Sequence, residues 1–196
     1  MDKTRSFLCI QFPSAISDII IRYIESCERD WRNIASAGEY ETCINIPADH
    51  LNDGIYGACL GGYSDLIDLM ILKGAKNMDY GLFGACCGGQ LKFVESMISK
   101  GATSYDNALS YASCFGHLDI VGSLILIEHI SLNQGLYHAC CNGHLDTVKL
   151  LISAGANDWD NGLRGSCISG HQEIMSLMIA QGAEKCRNCY KLLNSH

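Results

Sequence analysis

The chain has 196 residues, of which 48% are apolar and 18% charged, a composition that fits one folded domain and excludes a disordered or fibrous chain. Its 14 basic and 21 acidic side chains give a formal charge of −7, and the basic residues form no cluster. Binding to nucleic acid or to an anionic membrane surface through a basic patch is therefore excluded.

The first 29 residues are expected to form an N-terminal capping segment. An apolar patch over residues 7–10 is too short for a signal-peptide core or a membrane span. Pro13 suits the start of an apolar helix over residues 16–24. The run FPSAISDIIIRYIESCERDWRNIA is similar to an F-box, which ties target-binding repeat arrays to a ubiquitin ligase. That similarity implies an adapter of ubiquitin ligation as the alternative to a simple cap.

A degenerate repeat follows over residues 30–51. Residues 31–46 align with residues 136–151 at an offset of 105, which matches Gly38 to Gly143, and Pro47 closes the segment. Such atypical terminal units shield the open end of a stack of repeats.

Five full repeats are expected over residues 52–187, with bounds 52–78, 79–105, 106–132, 133–159 and 160–186/187. Five glycines mark them at a constant spacing of 27 residues: Gly62, Gly89, Gly116, Gly143 and Gly170. A period of this size predicts a solenoid, because each unit alone is too small to bury its apolar face.

The residue pattern predicts two short helices in each repeat. An Asn or Asp column precedes the first helix and predicts its N-cap, and the glycine column predicts a left-handed residue at its end. The members of the Asn/Asp column are Asn52, Asp79, Asp106, Asn133 and Asp160. Apolar columns at offsets of three and four then predict one buried face on a second helix.

The second helix is expected to end at a Gly-Ala pair, and the third repeat has Glu128-His129 there instead. Either Glu128 takes a strained left-handed conformation, at about 1 kcal/mol, or the helix ends differently. At the other end of the array, residues 188–196 resemble the start of a further first helix and are expected to be a C-terminal cap.

The strings ASCFGHLDIV, ACCNGHLDTV and LLISAGAN, at residues 112–121, 139–148 and 150–157, resemble the ankyrin motif. The resemblance implies an all-α, ankyrin-type solenoid of stacked helix-turn-helix units that binds a protein partner and is not an enzyme. The spacing is about six residues shorter than is usual in that family, so the β-hairpin fingers are expected to be abbreviated or absent. The short copies also resemble ankyrin proteins of large DNA viruses, particularly those infecting amoebae, which implies a host or viral partner in the host cytoplasm.

Family geometry further implies a concave binding face on the first helices. By column, the partner-binding residues are Tyr56, Leu60, Phe83, Cys87, Cys114, Phe115, Tyr137, Cys141, Asn142, Arg164 and Ile168. Aromatic and arginine side chains are frequent interface anchors. The alternative is that the apolar members of this stripe pack between repeats, in which case replacing Tyr56, Phe83 and Tyr137 by alanine would unfold the chain.

Metal, cofactor and catalytic sites are not expected. His117, His144 and His171 recur once per repeat, and layers of packed helices lie roughly 10 Å apart, too far for shared ligation of zinc at about 2 Å. The Cys186/Cys189 pair supplies only two ligands and nothing specifies two more, so a metal-binding or redox protein is only the third of the functional alternatives. We interpret the 12 cysteines as mostly reduced, small apolar side chains of a monomeric cytoplasmic protein.

Overall fold

The computed structural model describes residues 31–184, and all regular structure in that range is helical, without a strand. A 3-10 turn over Ala48–His50 precedes the third helix. The α-helices are α1 (Trp31–Ser36), α2 (Tyr40–Cys43), α3 (Leu51–Gly61), α4 (Ser64–Leu72), α5 (Met78–Cys87), α6 (Leu91–Ser99), α7 (Tyr105–Phe115), α8 (Leu118–Leu124), α9 (Leu132–Asn142), α10 (Leu145–Ser153), α11 (Trp159–Ser169) and α12 (Gln172–Gln181).

The odd-numbered helices are the first helices of successive units, and the even-numbered ones are the second helices. From α3 to α11 the first helices begin at residues 51, 78, 105, 132 and 159, which is a constant step of 27 residues. Only short connectors without hairpins join the units. The predicted all-α solenoid with this period and without β-hairpin fingers is confirmed.

One continuous core runs through the stack. Each first helix contributes a fully buried aliphatic side chain from the same column, namely Ile55, Leu82, Leu109, Leu136 and Leu163. The second helices contribute another such column, namely Met70, Met97, Leu124, Leu151 and Met178. Because each layer covers the apolar face of the next, the hydrophobic stabilisation belongs to the stack and not to single helix pairs.

Two separate constraints require glycine at position 143, at the end of α9. At Gly143 the backbone φ is +78°, in the left-handed region that side chains disfavour. An added Cβ there would also lie 2.6 Å from the imidazole ring of His171 in the following unit. The predicted helix end at this column is confirmed, and the structure adds that the glycine makes room for the next layer.

The Asn/Asp column does not cap its own helices, so that prediction is wrong. These residues occupy the second position of each first helix, and the N-cap residue stands two positions earlier, as Ser104 does for α7. The side chains of Asp79, Asp106, Asn133 and Asp160 instead accept hydrogen bonds from backbone amides about 25 residues further on. Asp79 Oδ1, for example, accepts from the amides of Thr103 at 2.7 Å and Ser104 at 3.0 Å.

Other units make the same contact, in which an Asp or Asn of a first helix accepts a hydrogen bond from an amide in the connector of the following unit. We call this contact the clasp. Asp106 accepts from the amide of Ser131 at 2.7 Å, and Asp160 accepts from the amide of Glu184 at 2.7 Å. Asn133 accepts from the amides of residues 157 and 158 at 2.9 and 3.2 Å. The column therefore satisfies free amides ahead of the next helix, and it ties each layer to its neighbour.

In the third unit the left-handed residue is His129, with φ +64°, and not Glu128. Helix α8 ends at Leu124, earlier than its counterparts α6 and α10, so the chain reaches the left-handed turn one residue later. The second of the two expectations, a helix that ends differently, is the one observed.

None of the helices within residues 31–184 is both long enough and apolar enough to cross a lipid bilayer. The expected N-terminal capping helix, the F-box-like run and the C-terminal cap all lie outside the described residues, as does the Cys186/Cys189 pair.

Candidate partner-binding surface

The residues expected to bind a partner lie on one side of the first helices, as their spacing of four within a helix requires. We call this side the first-helix face. Tyr56, Leu60, Phe83, Cys114, Tyr137 and Cys141 are partly exposed there, and Phe115, Asn142, Arg164 and Ile168 are exposed. Cys87 is only 8% exposed, so it lies beneath the surface and is not available for direct contact.

The N-terminal part of the face is a cluster around Tyr56. The Tyr56 hydroxyl donates a hydrogen bond to the sulfur of Cys87 at 3.4 Å, across to the next unit. The guanidinium of Arg32 lies 5.1 Å from the centre of the Tyr56 ring, and its Nε donates to Asp53 Oδ1 at 2.8 Å. Burial, and then the bond to Cys87, raise the pKa of the Tyr56 phenol, so the hydroxyl stays protonated and can keep donating.

Aromatic rings meet in the middle of the face. The Phe83 ring lies 5.3 Å from that of Tyr111 and 6.4 Å from that of Tyr80, measured between ring centres. Tyr111 is 41% exposed and belongs to the next unit, so this pair bridges two layers at the surface. Such tilted contacts hold aromatic side chains in place while leaving much of their area available.

Tyr111 was absent from the predicted set, although the sequence carries a signal for it. It stands in a column that is glycine in three of the five repeats, at Gly57, Gly84 and Gly165. An added Cβ at Gly84 would collide with the backbone of Tyr56. The third and fourth repeats carry large side chains in this column, and there Tyr111 is exposed and His138 is partly exposed.

Tyr137 and Arg164 form the C-terminal part of the face. The guanidinium of Arg164 lies 5.6 Å from the centre of the Tyr137 ring. A hydrogen bond with the thiol of Cys141 raises the pKa of the Tyr137 phenol. Asn142 Nδ2 donates to the carbonyl oxygen of His138 at 2.9 Å and to the sulfur of Cys114 at 3.4 Å. These contacts join predicted residues of three units into one surface.

A shallow groove of about 340 Å³ borders Tyr137 and Arg164 between α9 and α11. Its other walls are polar: Ser131, Asn133, Gln134, His138, Asp158 and Asn161. Amide and hydroxyl groups of this kind can satisfy the backbone of an extended peptide. The groove is therefore suited to a polypeptide segment.

The buried thiols are poor nucleophiles. Burial raises the pKa of both Cys59 and Cys140 to about 12, and the same cause raises the pKa of Cys86. Because the thiolate is the reactive form, these groups stay inert as packed side chains at neutral pH. Seven cysteines in the described part of the chain are free thiols, whereas Cys167 is disulfide-bonded and departs from the reduced state expected for it.

The three repeated histidines bond to backbone carbonyl oxygens. Nε2 of His117, His144 and His171 donates to the carbonyl oxygens of Cys87, Cys114 and Cys141, at 3.0, 2.9 and 3.2 Å. Each bond links one unit to the preceding one, which is a structural role. Within residues 31–184, no three His, Cys, Asp or Glu side chains come together in a way that could hold a metal ion.

Comparison with known proteins agrees with this architecture. Residues 136–161 match the model of the ankyrin repeat family. Among solved structures, the chain is similar to the human ASB11 ankyrin repeat domain, with a TM-score of 0.61 and 21% sequence identity over 83% of this chain and 88% of that one. A search of the curated proteins finds no match. The stacked helix pairs, the family match over residues 136–161 and the structural similarity together show that this chain has the fold of an ankyrin-type solenoid.

Proposed function

We propose that this chain is a non-enzymatic protein–protein interaction module that binds its partner through the first-helix face. One observation carries the proposal: the buried side of each first helix is filled by small and aliphatic residues, while large side chains remain at the surface. Tyr111, Phe115 and Ile168 are 41%, 52% and 73% exposed. Aromatic and arginine side chains with large accessible area are typical binding anchors.

The chemistry of the face favours binding over catalysis. The thiol of Cys87 accepts a hydrogen bond from Tyr56, and His171 donates to the carbonyl oxygen of Cys141 one layer away. A nucleophile would need an adjacent base and a depressed pKa, whereas the pKa of Cys87 is raised by burial.

A matched pair of variants tests this function. Tyr111→Ala, Phe115→Ala and Ile168→Ala are combined, because these side chains are exposed and their removal leaves the core intact. The control combines Leu72→Ala at the end of α4 and Leu126→Ala just after α8, whose side chains are 85% and 82% exposed. Partners are captured on the full chain, identified by mass spectrometry and titrated calorimetrically.

The face variant should bind the captured partner with an affinity at least about tenfold lower, and the control should bind it as the unaltered chain does. Circular dichroism should show equal helix content and equal unfolding midpoints for all three proteins. A partner that is lost from the control but kept by the face variant would contradict the proposal. So would a face variant that unfolds, because its side chains would then belong to the core.

An adapter of ubiquitin ligation is the alternative function, and the F-box-like run that would support it lies outside the described residues. Co-purification with the ligase linker protein, abolished by deleting residues 1–28, would support the adapter. We further propose, on the resemblance of the 27-residue copies to viral ankyrin proteins, that the monomer meets a host or viral partner in the host cytoplasm. Mass spectrometry of the captured partners tests both statements.

A further inference from the structure

The acidic side chains at the first helices are all engaged by groups of the chain itself. Asp53 pairs with Arg32. Asp79, Asp106 and Asp160 accept from amides of the next connector. Asp158, at the N-cap of α11, accepts from the amide of Asn161 at 3.2 Å and from its side chain. The carboxylates along this side of the stack therefore make contacts within the chain that stabilise the fold.

Arg164 differs from them, because no carboxylate of the described residues pairs with it. In the ion pairs found between residues 31 and 184, the basic partner is either Arg32 or His50. Arg164 is exposed, and its guanidinium lies over the Tyr137 ring. That contact restricts the side chain and leaves its hydrogen-bond donors without an anionic partner.

The other end of the same face shows what such an arginine binds. Arg32 lies over the ring of Tyr56, whose hydroxyl is held by a thiol, and its Nε donates to Asp53 at 2.8 Å. Arg164 lies over the ring of Tyr137, and the thiol of Cys141 raises the pKa of that tyrosine. The two clusters share an arginine, a tyrosine and a cysteine, and only the first one contains a carboxylate.

We propose that Arg164, supported by Tyr137, receives the carboxylate of an Asp or Glu side chain of the bound protein. The proposal rests on the function proposed above and names the chemistry of the partner. That carboxylate takes the place that Asp53 holds beside Arg32. Gln134 and Asn161 line the adjoining groove and can bond the backbone of the same segment.

Ile168 adds an apolar contact beside the charged one. It lies one helical turn after Arg164, on the same side of α11, and is 73% exposed. The segment recognised therefore carries an acidic residue with an apolar residue close to it. The chain has a formal charge of −7, so it repels partners that carry many acidic residues. A partner segment with a single carboxylate, bound directly by Arg164, is therefore favoured.

Selection from a library of random 12-residue displayed peptides against the full chain tests this inference. Selected peptides are synthesised and titrated against the unaltered chain, Arg164→Gln and Arg164→Glu. Lys149→Gln is the matched control, because it removes one positive charge from an exposed position on the second helix α10, away from the first-helix face. Peptides with their acidic residue changed to the amide, or to lysine, complete the set.

We expect the selected peptides to be enriched in one acidic residue, with an apolar residue nearby. Arg164→Gln and the amide peptide should each lose affinity about tenfold, and combining them should add little further loss. Arg164→Glu should recover affinity for the lysine peptide, which a merely structural role of Arg164 would not produce. Lys149→Gln should bind as the unaltered chain does.

Two other outcomes separate the inference from the proposed function. Peptides that lose affinity for the Tyr111/Phe115/Ile168 variant but bind Arg164→Gln normally would overturn the carboxylate site and leave the binding face standing. Peptides indifferent to both sets of changes, or the absence of any selected binder, would count against the face and the site together.

Discussion

The buried hydroxyl of Ser113 differs from the side chains at the same position of the other repeats. Ser113 occupies the position that is cysteine in the other four full repeats, at Cys59, Cys86, Cys140 and Cys167. It is fully buried, and its Oγ has no hydrogen-bond partner among the described residues. A buried hydroxyl in this state is unfavourable, whereas a thiol packs as a small apolar group.

We therefore expect Ser113→Cys to raise the free energy of unfolding by about 1 kcal/mol. The control is Ser166→Ala, because Ser166 is equally buried but its hydroxyl donates to the carbonyl oxygen of Leu163 at 3.0 Å. Loss of that satisfied bond should be neutral or slightly destabilising. Urea unfolding followed by circular dichroism measures both, and a destabilised Ser113→Cys would contradict the interpretation.

Residue identity predicted which side chains share the first-helix face, and their role in binding stays a prediction. Tyr137 and Arg164 were named from their columns, and they contact each other in the structure. Tyr111 was not predicted, because the predicted residues belong to the neighbouring column, where the third repeat has Ser110. Burial of Cys87 could not be foreseen either, since it depends on Tyr56 reaching across from the preceding layer.

At the scale of the element, the end of α8 is the place where the repeat pattern is broken. Alignment of the repeats puts Glu128 at the left-handed position, yet the positive φ falls on His129. A side chain at such a backbone conformation costs roughly 1 kcal/mol that glycine avoids.

His129→Gly should therefore stabilise the chain by about 0.5 kcal/mol, the strain relieved less the added freedom of the unfolded chain. Glu128→Gly is the control, and it should destabilise by up to about 1 kcal/mol, because no strain is relieved there. The urea unfolding midpoints of the two variants measure these stability changes, which should have opposite signs. Stabilisation by Glu128→Gly would mean that the left-handed residue is the one the alignment indicates.

At the scale of the whole molecule, the clasps between layers tie stability to pH. Burial alone would raise the pKa of the Asp79 carboxyl, but hydrogen bonds from Ser104 and Thr103 outweigh burial and lower it. A carboxyl with a lowered folded-state pKa stabilises the fold above its unfolded pKa of about 3.9. That contribution is lost as the pH falls through the lower, folded-state pKa.

Asp79→Ala should reduce the free energy of unfolding at pH 7 by about 1 kcal/mol, since solvent screens this partly exposed group. Asp79→Asn should lose less, because Asn133 makes the same clasp with an amide oxygen. The difference between the unaltered chain and Asp79→Asn should shrink below about pH 4. Urea titrations from pH 6 to pH 3 measure it, and a difference that does not change with pH would contradict this role.

The sequence by itself determined the repeat length, the helix pairs and their glycine ends. These features depend on local requirements, such as the spacing of apolar residues along a helix and the backbone freedom of glycine. Only the tertiary structure decided the partners of the Asp and Asn column, the residue that turns after α8 and the exposure of each surface side chain. Those outcomes depend on how far each layer is shifted and rotated against the next, which no single repeat specifies.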